Sequence, residues 1–357
     1  MRADELASRQ IQAARFEAQL LSGVPARDPV EVAGRLLAIQ GQDRRGARLA
    51  IRARTAGLTA ADVDRALSDD RSLVITWLNR GTLHLVRSED YWWLHSLTVR
   101  PGLPGAVRRM LAAAGVATAD ADKGVAVIEA ALAADGPLTR IQLRQMLASA
   151  GLPTEDNVAL HLIALASMQG AVVRGPVIGS EHAYVLARDW LGKPPRAVEH
   201  DVALAALARR YLAGHGPASD RDLAKWAGLP LGQVRRGITA LAGGLRDRPD
   251  GLAELAAARR DGAVIPAPRL LGAYDPVLLG WASREPVLGR HQGIVTVNGL
   301  FRPFVLVDGK AAGTWAWKAR RVVLDRFGEL PAAAEGALAA EALDVQRFLE
   351  PTARQDH

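Results

Sequence analysis

Three similar stretches decide the fold, and the clearest of them is Gly136-Pro137-Leu138-Thr139-Arg140-Ile141-Gln142-Leu143. The other two are Gly57-Leu58-Thr59-Ala60-Ala61-Asp62-Val63 and Gly216-Pro217-Ala218-Ser219-Asp220-Arg221-Asp222-Leu223. Their hydroxyl residues, Thr59, Thr139 and Ser219, are spaced 80 residues apart, and a helical pattern follows each. Because a hydroxyl is a favoured N-cap, the repeat predicts three equivalent helices in three similar units.

Further helices and a short hairpin surround the second and third repeats. Amphipathic helices are predicted before and after them, over 125–134, 157–169, 202–213 and 233–241. In the second repeat a β-like stretch at 171–174 returns as 183–186 across Gly175-Pro176. Three helices followed by a hairpin is typical of winged helix-turn-helix domains, in which one helix can enter a DNA groove. A plain helical array would supply the helices but not the hairpin.

The last ninety residues have a different pattern. Asn298-Gly299 and Asp308-Gly309 are strong hairpin signals. Predicted strands flank them at 293–297, 304–307, 312–317 and 321–324, and 339–349 is predicted to be a closing helix. The fold class is therefore mainly α with small β elements (α+β): tandem winged helices followed by an antiparallel sheet or barrel-like domain. We predict winged-helix units at 1–120, 121–197 and 198–265 and the β-rich domain at 266–357.

Composition limits the classes of function. The 357 residues include 45 Lys plus Arg against 38 Asp plus Glu, and 40 of the 45 are Arg. Codon bias in a GC-rich genome explains the Arg:Lys ratio equally well, but the net charge of +7 still indicates an anionic polymer as partner. Cysteine is absent, which excludes a disulfide framework, a thiol nucleophile and a thiolate zinc site.

Several common features are missing from the sequence. No run approaches 18 consecutive apolar residues, so we expect a soluble protein with no membrane partner, cytoplasmic and nucleoid-associated. The eight histidines show no metal-ligand spacing, and no glycine-rich phosphate loop follows a strand. We therefore expect no metal and no nucleotide cofactor, and we take a monomer as the default.

The most unusual sequence surrounds Gln40-Gly41-Gln42. Asp28-Pro29-Val30-Glu31 predicts a helix that begins at an Asp N-cap. If the apolar spacing of this helix continues, Gln40 lies on its inward face. Gly41 is then expected to end the helix and leave Gln42 in a turn, with both carboxamides in one cleft. The alternative is that Gln40 is a buried structural amide.

An arginine cluster and a polar strand accompany the glutamines. Arg44, Arg45, Arg48, Arg52 and Arg54 form a local excess of positive charge, for which a solvated helical face is the alternative interpretation. A predicted strand over 77–86 would place Arg80, Thr82 and His84 on one side, facing the same cleft. The DNA-binding candidates are Arg44, Arg45, Arg48, Arg52, Arg80 and His84. His84 is also a candidate for orienting a catalytic amide, or for a purely structural role.

Together these residues resemble the AlkZ/YcaQ family of bacterial DNA glycosylases. The resemblance covers about residues 5 to 350, and its motifs are Gln40-Gly41-Gln42, Arg80-Gly81-Thr82-Leu83-His84, Asn298-Gly299, Asp308-Gly309 and Gly313-Thr314-Trp315. It implies a C-shaped array of tandem winged helices. It also implies an enzyme that removes alkylated bases, including bulky N7-alkylguanines and, in some members, interstrand crosslinks.

The residue at position 42 places the chain in one branch of that family. Gln42 matches the Gln-x-Gln branch, which the resemblance associates with bulky or crosslinked adducts and with self-protection in organisms that make such agents. The other branch has Gln-x-Asp. Asp43 lies one position out of register with that Asp and is a minor candidate only.

Two glutamines can support glycosidic hydrolysis only of an activated substrate. A carboxamide does not titrate near neutral pH, so neither Gln40 nor Gln42 is a general base. N7-alkylguanine and N3-alkyladenine are cationic, however, and leave without a proton from the enzyme. Holding a water and stabilising an oxocarbenium-like sugar remain, and fixed dipoles can do both. We therefore predict a monofunctional glycosylase acting on duplex DNA that contains cationic alkylated purines, with uracil-type neutral lesions as poor substrates.

Non-enzymatic functions remain open on the residues alone. Winged helices are more often found in transcription regulators or architectural DNA binders than in enzymes. The absence of an obvious dimerisation helix, and three winged units in one chain, count against a regulator. A scaffold that binds proteins through the C-terminal sheet is a weaker alternative.

Overall fold

The computed structural model describes residues 3–100, 102–155, 157–179, 181–196, 198–258, 260 and 262–350. The chain forms two compact units, Met1–Val63 with His200–His357, and Asp64–Glu199. We call these the first and the second unit. The four predicted domains, which divide the chain differently, remain a prediction.

Both units contain helices and short strands. The first unit begins with α1 (Ala3–Ala18), α2 (Pro29–Leu36), β1 (Ile39–Gln40), α3 (Arg44–Arg52) and the start of α4 (Ala60–Ser68). The second unit continues with β2 (Leu73–Leu78), β3 (Thr82–Arg87), α5 (Tyr91–Thr98), α6 (Gly102–Ala113), α7 (Thr118–Asp135), α8 (Arg140–Ser149), α9 (Val158–Met168), β4 (Val172–Ile178), β5 (Glu181–Leu186) and α10 (Ala187–Leu191). The first unit resumes with α11 (His200–His215), α12 (Asp220–Ala227), α13 (Leu231–Thr239), β6 (Arg269–Leu271), α14 (Glu285–Leu288), β7 (Phe304–Val307), β8 (Lys310–Lys318), β9 (Arg321–Arg326) and α15 (Ala332–Leu349). The predicted fold class, mainly helical with small antiparallel sheets, is confirmed.

The three repeated hydroxyl residues lie at helix starts, as predicted. Thr139 and Ser219 are the N-caps of α8 and α12, and each forms a capping box with the residue three positions later. Thr59 precedes α4, and its N–H and hydroxyl donate to the Asp62 carboxylate at 2.8 and 2.7 Å. At all three helix starts, therefore, the side chain three positions later accepts the N–H of the hydroxyl residue.

The second unit contains the predicted order of three helices and a hairpin, in α7, α8, α9 and β4–β5. Strand β4 also pairs with β2, and β2 pairs with β3, all antiparallel. Helix α9 is buried along almost its whole length and packs against this sheet. It is therefore a core helix and is not free to enter a groove. In α8, by contrast, only Leu143 and Leu147 are buried.

The third repeat, in the first unit, has the same order. Helix α13 packs closely on α11 because Gly237 has no side chain; a Cβ there would lie 2.5 Å from the Leu204 carbonyl oxygen. Backbone bridges pair Leu245 with Leu255 and Ala218 with Ala253, which makes residues 245–255 the hairpin of this repeat.

A four-stranded antiparallel sheet, in the order β6-β7-β8-β9, ends the first unit, and α15 packs against it. Asp308 and Gly309 form the turn between β7 and β8, as predicted. The predicted strand at 293–297 is wrong. Only one bridge, between Val295 and Phe301, spans Asn298-Gly299, because most of this segment lies on the surface outside the sheet. Within the described part of the chain, no helix has the length and apolar character needed to cross a membrane.

Candidate active site

The helix before the two glutamines ends earlier than predicted. Asp28 is its N-cap, and its side chain accepts the Glu31 N–H at 2.8 Å, as expected. Helix α2 then stops at Leu36, because Leu37 has a left-handed φ of 65°. Gln40 consequently lies on β1 and not on a helix face, and the prediction that Gly41 ends the helix is wrong.

The strand brings the two carboxamides together. Alternate residues of an extended chain project to the same side, so Gln40 and Gln42 are neighbours. Gln40 Nε2 donates a hydrogen bond of 2.7 Å to Gln42 Oε1. Gln40 is 6% exposed, whereas Gln42 is exposed. The pair thus joins a buried amide to one at the surface.

The remaining oxygen of Gln40 is an available acceptor. Among the described residues, none supplies a hydrogen-bond donor to buried Gln40 Oε1. Leaving a buried polar group unpaired costs about 1–3 kcal/mol. A bound water would satisfy this oxygen, and it would be held at a fixed position beside Gln42.

Helix α3 begins directly after Gln42. Asp43 is its N-cap, and Asp43 Oδ1 accepts the Gly46 N–H. Gly46 packs directly against Ala273, where a Cβ would overlap the Ala273 carbonyl oxygen. The carboxylate of Asp43 therefore has a structural role, and residues 272–273 fix the first turn of α3.

The arginines of α3 differ in their surroundings. Arg45 is exposed and Arg44 is half-buried. Arg48 is 6% exposed, and its guanidinium donates to the Arg44 carbonyl oxygen at 3.1 Å. Burial, and then the charge of Arg44, lower the pKa of Arg48 to about 9. Positive charge is therefore concentrated beside Gln42 even though one of its carriers is buried.

Two of the arginines serve the interior of the first unit. Arg52 is 3% exposed and forms ion pairs of 2.8 Å with Glu341 and with Asp344, both on α15. Arg54 is fully buried and pairs with Asp275 at 2.9 Å. The structure thus places Arg52, a predicted phosphate ligand, in a clamp between α3 and α15 with little surface left for DNA.

The second unit contains Arg80 and His84. Arg80 lies in the turn between β2 and β3 with a left-handed φ of 59°. Its predicted place on the strand is wrong, since β3 begins at Thr82. A non-glycine residue in this conformation is strained, typically by about 1–3 kcal/mol, and such residues cluster at functional sites.

His84 is a buried, neutral histidine. Its Nδ1 lies 2.9 Å from the Thr82 carbonyl oxygen, and because a carbonyl only accepts, Nδ1 carries the proton. Burial, followed by the charge of Arg80, lowers the pKa of His84 to about 3. A neutral ring with Nδ1 protonated has only an acceptor left at Nε2, whereas phosphate oxygens need a donor. His84 therefore fits the structural alternative better than a phosphate contact.

Known proteins are similar to this chain over most of its length. A family model described as DNA glycosylase AlkZ-like matches residues 33–348. The chain belongs to the AlkZ-like DNA glycosylase family. It is similar to the interstrand DNA cross-link repair glycosylase of Streptomyces sahachiroi, with 28% identity over 368 residues and 95% of each chain covered. The solved structure of the Streptomyces sahachiroi DNA glycosylase AlkZ has a TM-score of 0.75 at 25% identity and covers 95% of this chain and 96% of that one.

Membership of the AlkZ-like family confirms the suspected resemblance and the enzyme class, a DNA glycosylase with DNA as its partner. The residues that the sequence identifies in this glycosylase do not include Gly272 and Ala273, which pack against the start of α3. The signal was Gly46, since a glycine inside a predicted helix often marks a close backbone approach. Its partner could not be identified from the sequence. Among the described residues, no group of three or more His, Asp or Glu could hold a metal ion.

Proposed function

We propose that this AlkZ-like glycosylase hydrolyses the N-glycosidic bond of cationic alkylated purines in duplex DNA, namely N7-alkylguanine and N3-alkyladenine. We extend the proposal to bulky adducts and interstrand crosslinks, because the similar Streptomyces sahachiroi protein is named for cross-link repair. The observation that carries the proposal is the buried oxygen of Gln40, which has no donor among the described residues while its amide group is held by Gln42.

The two glutamines have different tasks. Gln40 Oε1 accepts a hydrogen bond from a water and directs the water oxygen towards the anomeric carbon. Gln42 accepts from Gln40 Nε2 and thereby fixes which end of the Gln40 amide faces the water. Gln40 is the catalytic residue in this scheme, and Gln42 positions it.

The substrate supplies the remaining driving force. As the bond between C1′ and the base nitrogen breaks, its electron pair neutralises the positive charge of the alkylated purine. The sugar gains oxocarbenium character, which carboxamide dipoles can stabilise because they are already oriented. The attacking water loses its proton to solvent, since a carboxamide cannot accept it near neutral pH. A neutral lesion such as uracil lacks this activation and is expected to remain uncleaved.

DNA affinity depends mainly on phosphate contacts. Arg45 and Arg44, which follow Gln42 at the start of α3, are the first candidates, and Arg80 is the next. Arg48 contributes charge from a buried position. If the protein neutralises about six to ten phosphates, its affinity for DNA should fall by about 10³ to 10⁵ when the salt concentration rises from 50 to 200 mM. We expect a monomer to act on nucleoid DNA.

The test is an excision assay on duplex DNA with one N7-methylguanine. The wild type should release the free base and leave an alkali-labile abasic site. Gln40→Ala and Gln42→Ala should suppress release while DNA affinity stays within a few-fold of wild type. Gln145→Ala, at an exposed glutamine of α8, is the matched control and should excise normally.

Two results would count against the proposal. Normal excision by both glutamine variants would mean that the catalytic site lies elsewhere. Binding without excision across small, bulky and crosslinking cationic adducts would favour the alternative, a winged-helix DNA binder without catalytic activity.

A further inference from the structure

Tyr274 has a backbone conformation that bulky residues rarely adopt. Its φ is 58°, in the left-handed region that glycine favours. A strained residue of this kind suggests a functional constraint when the surrounding structure holds it in place. Both of its neighbours are held: Asp275 is fully buried in its ion pair with Arg54, and Ala273 packs on Gly46.

The tyrosine ring is fixed but not fully covered. It packs on Phe301 with ring centroids 4.9 Å apart and an angle of 33° between the planes. The hydroxyl donates a long hydrogen bond of 3.5 Å to the Gly299 carbonyl oxygen. The Arg284 guanidinium lies 4.9 Å from the Phe301 ring centroid and braces that ring in turn. Tyr274 itself remains half-exposed, so it presents a preorganised aromatic surface.

A short path of contacts joins the backbone at Tyr274 to the glutamine pair. Gln42 is bonded to Asp43, Asp43 caps Gly46, and Gly46 touches Ala273, the residue before Tyr274. All five residues belong to the first unit. The backbone at Tyr274 is therefore anchored to the same turn of α3 that follows the candidate catalytic residues.

We propose that Tyr274 is a substrate-binding residue whose ring stacks on the cationic alkylated purine and distinguishes it from a neutral purine. This inference rests on the proposed function and adds a residue that selects for the charge of the base. The face of a tyrosine ring carries partial negative charge and attracts cations, and bases of any sequence stack on aromatic side chains. The ring would thus favour the activated substrate before the glutamines act on it.

The experiment measures binding rather than turnover. Two duplexes are compared: one carries 2′-fluoro-N7-methylguanosine, a cationic lesion with a stabilised glycosidic bond, and the other carries neutral 7-deaza-7-methylguanosine of similar shape. The measured quantity is the ratio of the two affinities. Tyr274→Leu should lower this ratio by about 3- to 30-fold, and Tyr274→Phe should keep it within about twofold of wild type.

Two further variants separate stacking from folding. Phe327→Leu removes another half-buried aromatic residue of the first unit, one that stacks on His291, and should leave the ratio unchanged. If Tyr274→Leu does not fold, Tyr274→Gly replaces it, since glycine adopts this φ without strain.

Each outcome decides the matter. An unchanged ratio in the folded Leu or Gly variant overturns the inference and leaves Tyr274 as a structural residue that packs on Phe301. The proposed function would survive that result if the wild type still excises N7-methylguanine. A wild type that never excises cationic purines would refute the proposed function instead, whatever the affinity ratio.

Discussion

Replacing Gln40 with Met tests whether its amide oxygen is kept unpaired for catalysis. Methionine has nearly the same length as glutamine, so Gln40→Met preserves volume while removing the buried acceptor and the donor to Gln42. The substitution should therefore separate stability from activity, raising the first and strongly lowering the second.

The expected change in stability combines two opposing contributions. Relief of the unpaired Gln40 Oε1 favours the variant by about 1–3 kcal/mol. Loss of the 2.7 Å bond to Gln42 opposes it by about 0.5–1.5 kcal/mol. The two contributions combine to between about −0.5 and +2.5 kcal/mol, so we expect the free energy of unfolding to rise by about 1 kcal/mol. At about 2–4 °C per kcal/mol for a domain of 150–250 residues, Tm should rise by a few degrees.

The excision rate should change more than the stability does, and it should fall whereas the stability rises. Removing one preorganised dipole from an active site typically lowers the rate by about 10² to 10³. Thermal denaturation and single-turnover release of N7-methylguanine would measure the two effects on the same preparations. Gln145→Met, at the exposed surface of α8, is the control and should change neither quantity appreciably.

The reasoning fails in two distinguishable ways. If Gln40→Met excises at a rate close to wild type, the oxygen does not direct the attacking water. If Tm falls by several degrees and excision stays close to wild type, Gln40 Oε1 is satisfied in the free protein and is the buried structural amide of the alternative interpretation.

Three other predictions follow from the site and its supports. Arg45→Ala should leave Tm unchanged and lower the slope of log affinity against log salt concentration by about 1; equal slopes for Arg45→Ala and wild type would exclude Arg45 as a phosphate ligand. Arg52→Ala should destabilise the protein by about 1–3 kcal/mol, because it removes a buried guanidinium that bonds to the Leu270 carbonyl oxygen, Glu341 and Asp344, although Glu341 keeps Arg269 and Asp344 keeps Arg347. Salt titrations and urea denaturation check the two variants. Gly46→Ala should displace the first turn of α3, destabilise the protein by about 1–3 kcal/mol and slow excision. The control Gly232→Ala should have none of these effects, because a Cβ at this position of α13 meets no neighbouring atom. Normal excision by Gly46→Ala would show that this turn does not position the glutamines. Burial lowers the pKa of His84 to about 3, so the unfolded chain binds the extra proton between pH 6.5 and 3, and stability falls as the pH is lowered through that range. Between pH 7 and pH 5, wild type should lose about 2 kcal/mol more than His84→Gln in urea denaturation, and equal losses would contradict a neutral buried ring.

The sequence predicted the elements that local chemistry specifies. The capping residues Thr139 and Ser219, the Asp28 N-cap and the turn at Asp308-Gly309 all depend on neighbours within a few positions, and all four are found. Helices are located correctly, but three of them are predicted too short; α7, for example, begins at Thr118 and not at 125. Their first turns lack the apolar periodicity on which the prediction relied.

The errors lie where distant parts of the chain compete with local preference. A left-handed φ at Leu37 ends α2, although leucine gives no such signal in the sequence. Arginine spacing could not separate the exposed Arg45 from the buried Arg52, because that difference depends on carboxylates almost 300 residues away. The strand pattern likewise places His84 on a polar face, whereas the side chain is buried, because burial depends on the folded sheet and not on the strand alone.

By itself, the sequence determined that repeated, capped helices and Gln40-Gly41-Gln42 would occur in a cysteine-free, arginine-rich chain. Tertiary structure alone decided that the two amides share the side of a strand, that one of their oxygens is left without a donor among the described residues, and that Tyr274 is anchored to α3 through Ala273 and Gly46. The physical reason is the distance along the sequence between the residues that interact. Caps and turns form between residues a few positions apart, whereas burial and charge pairing depend on groups that only the folded chain brings into contact.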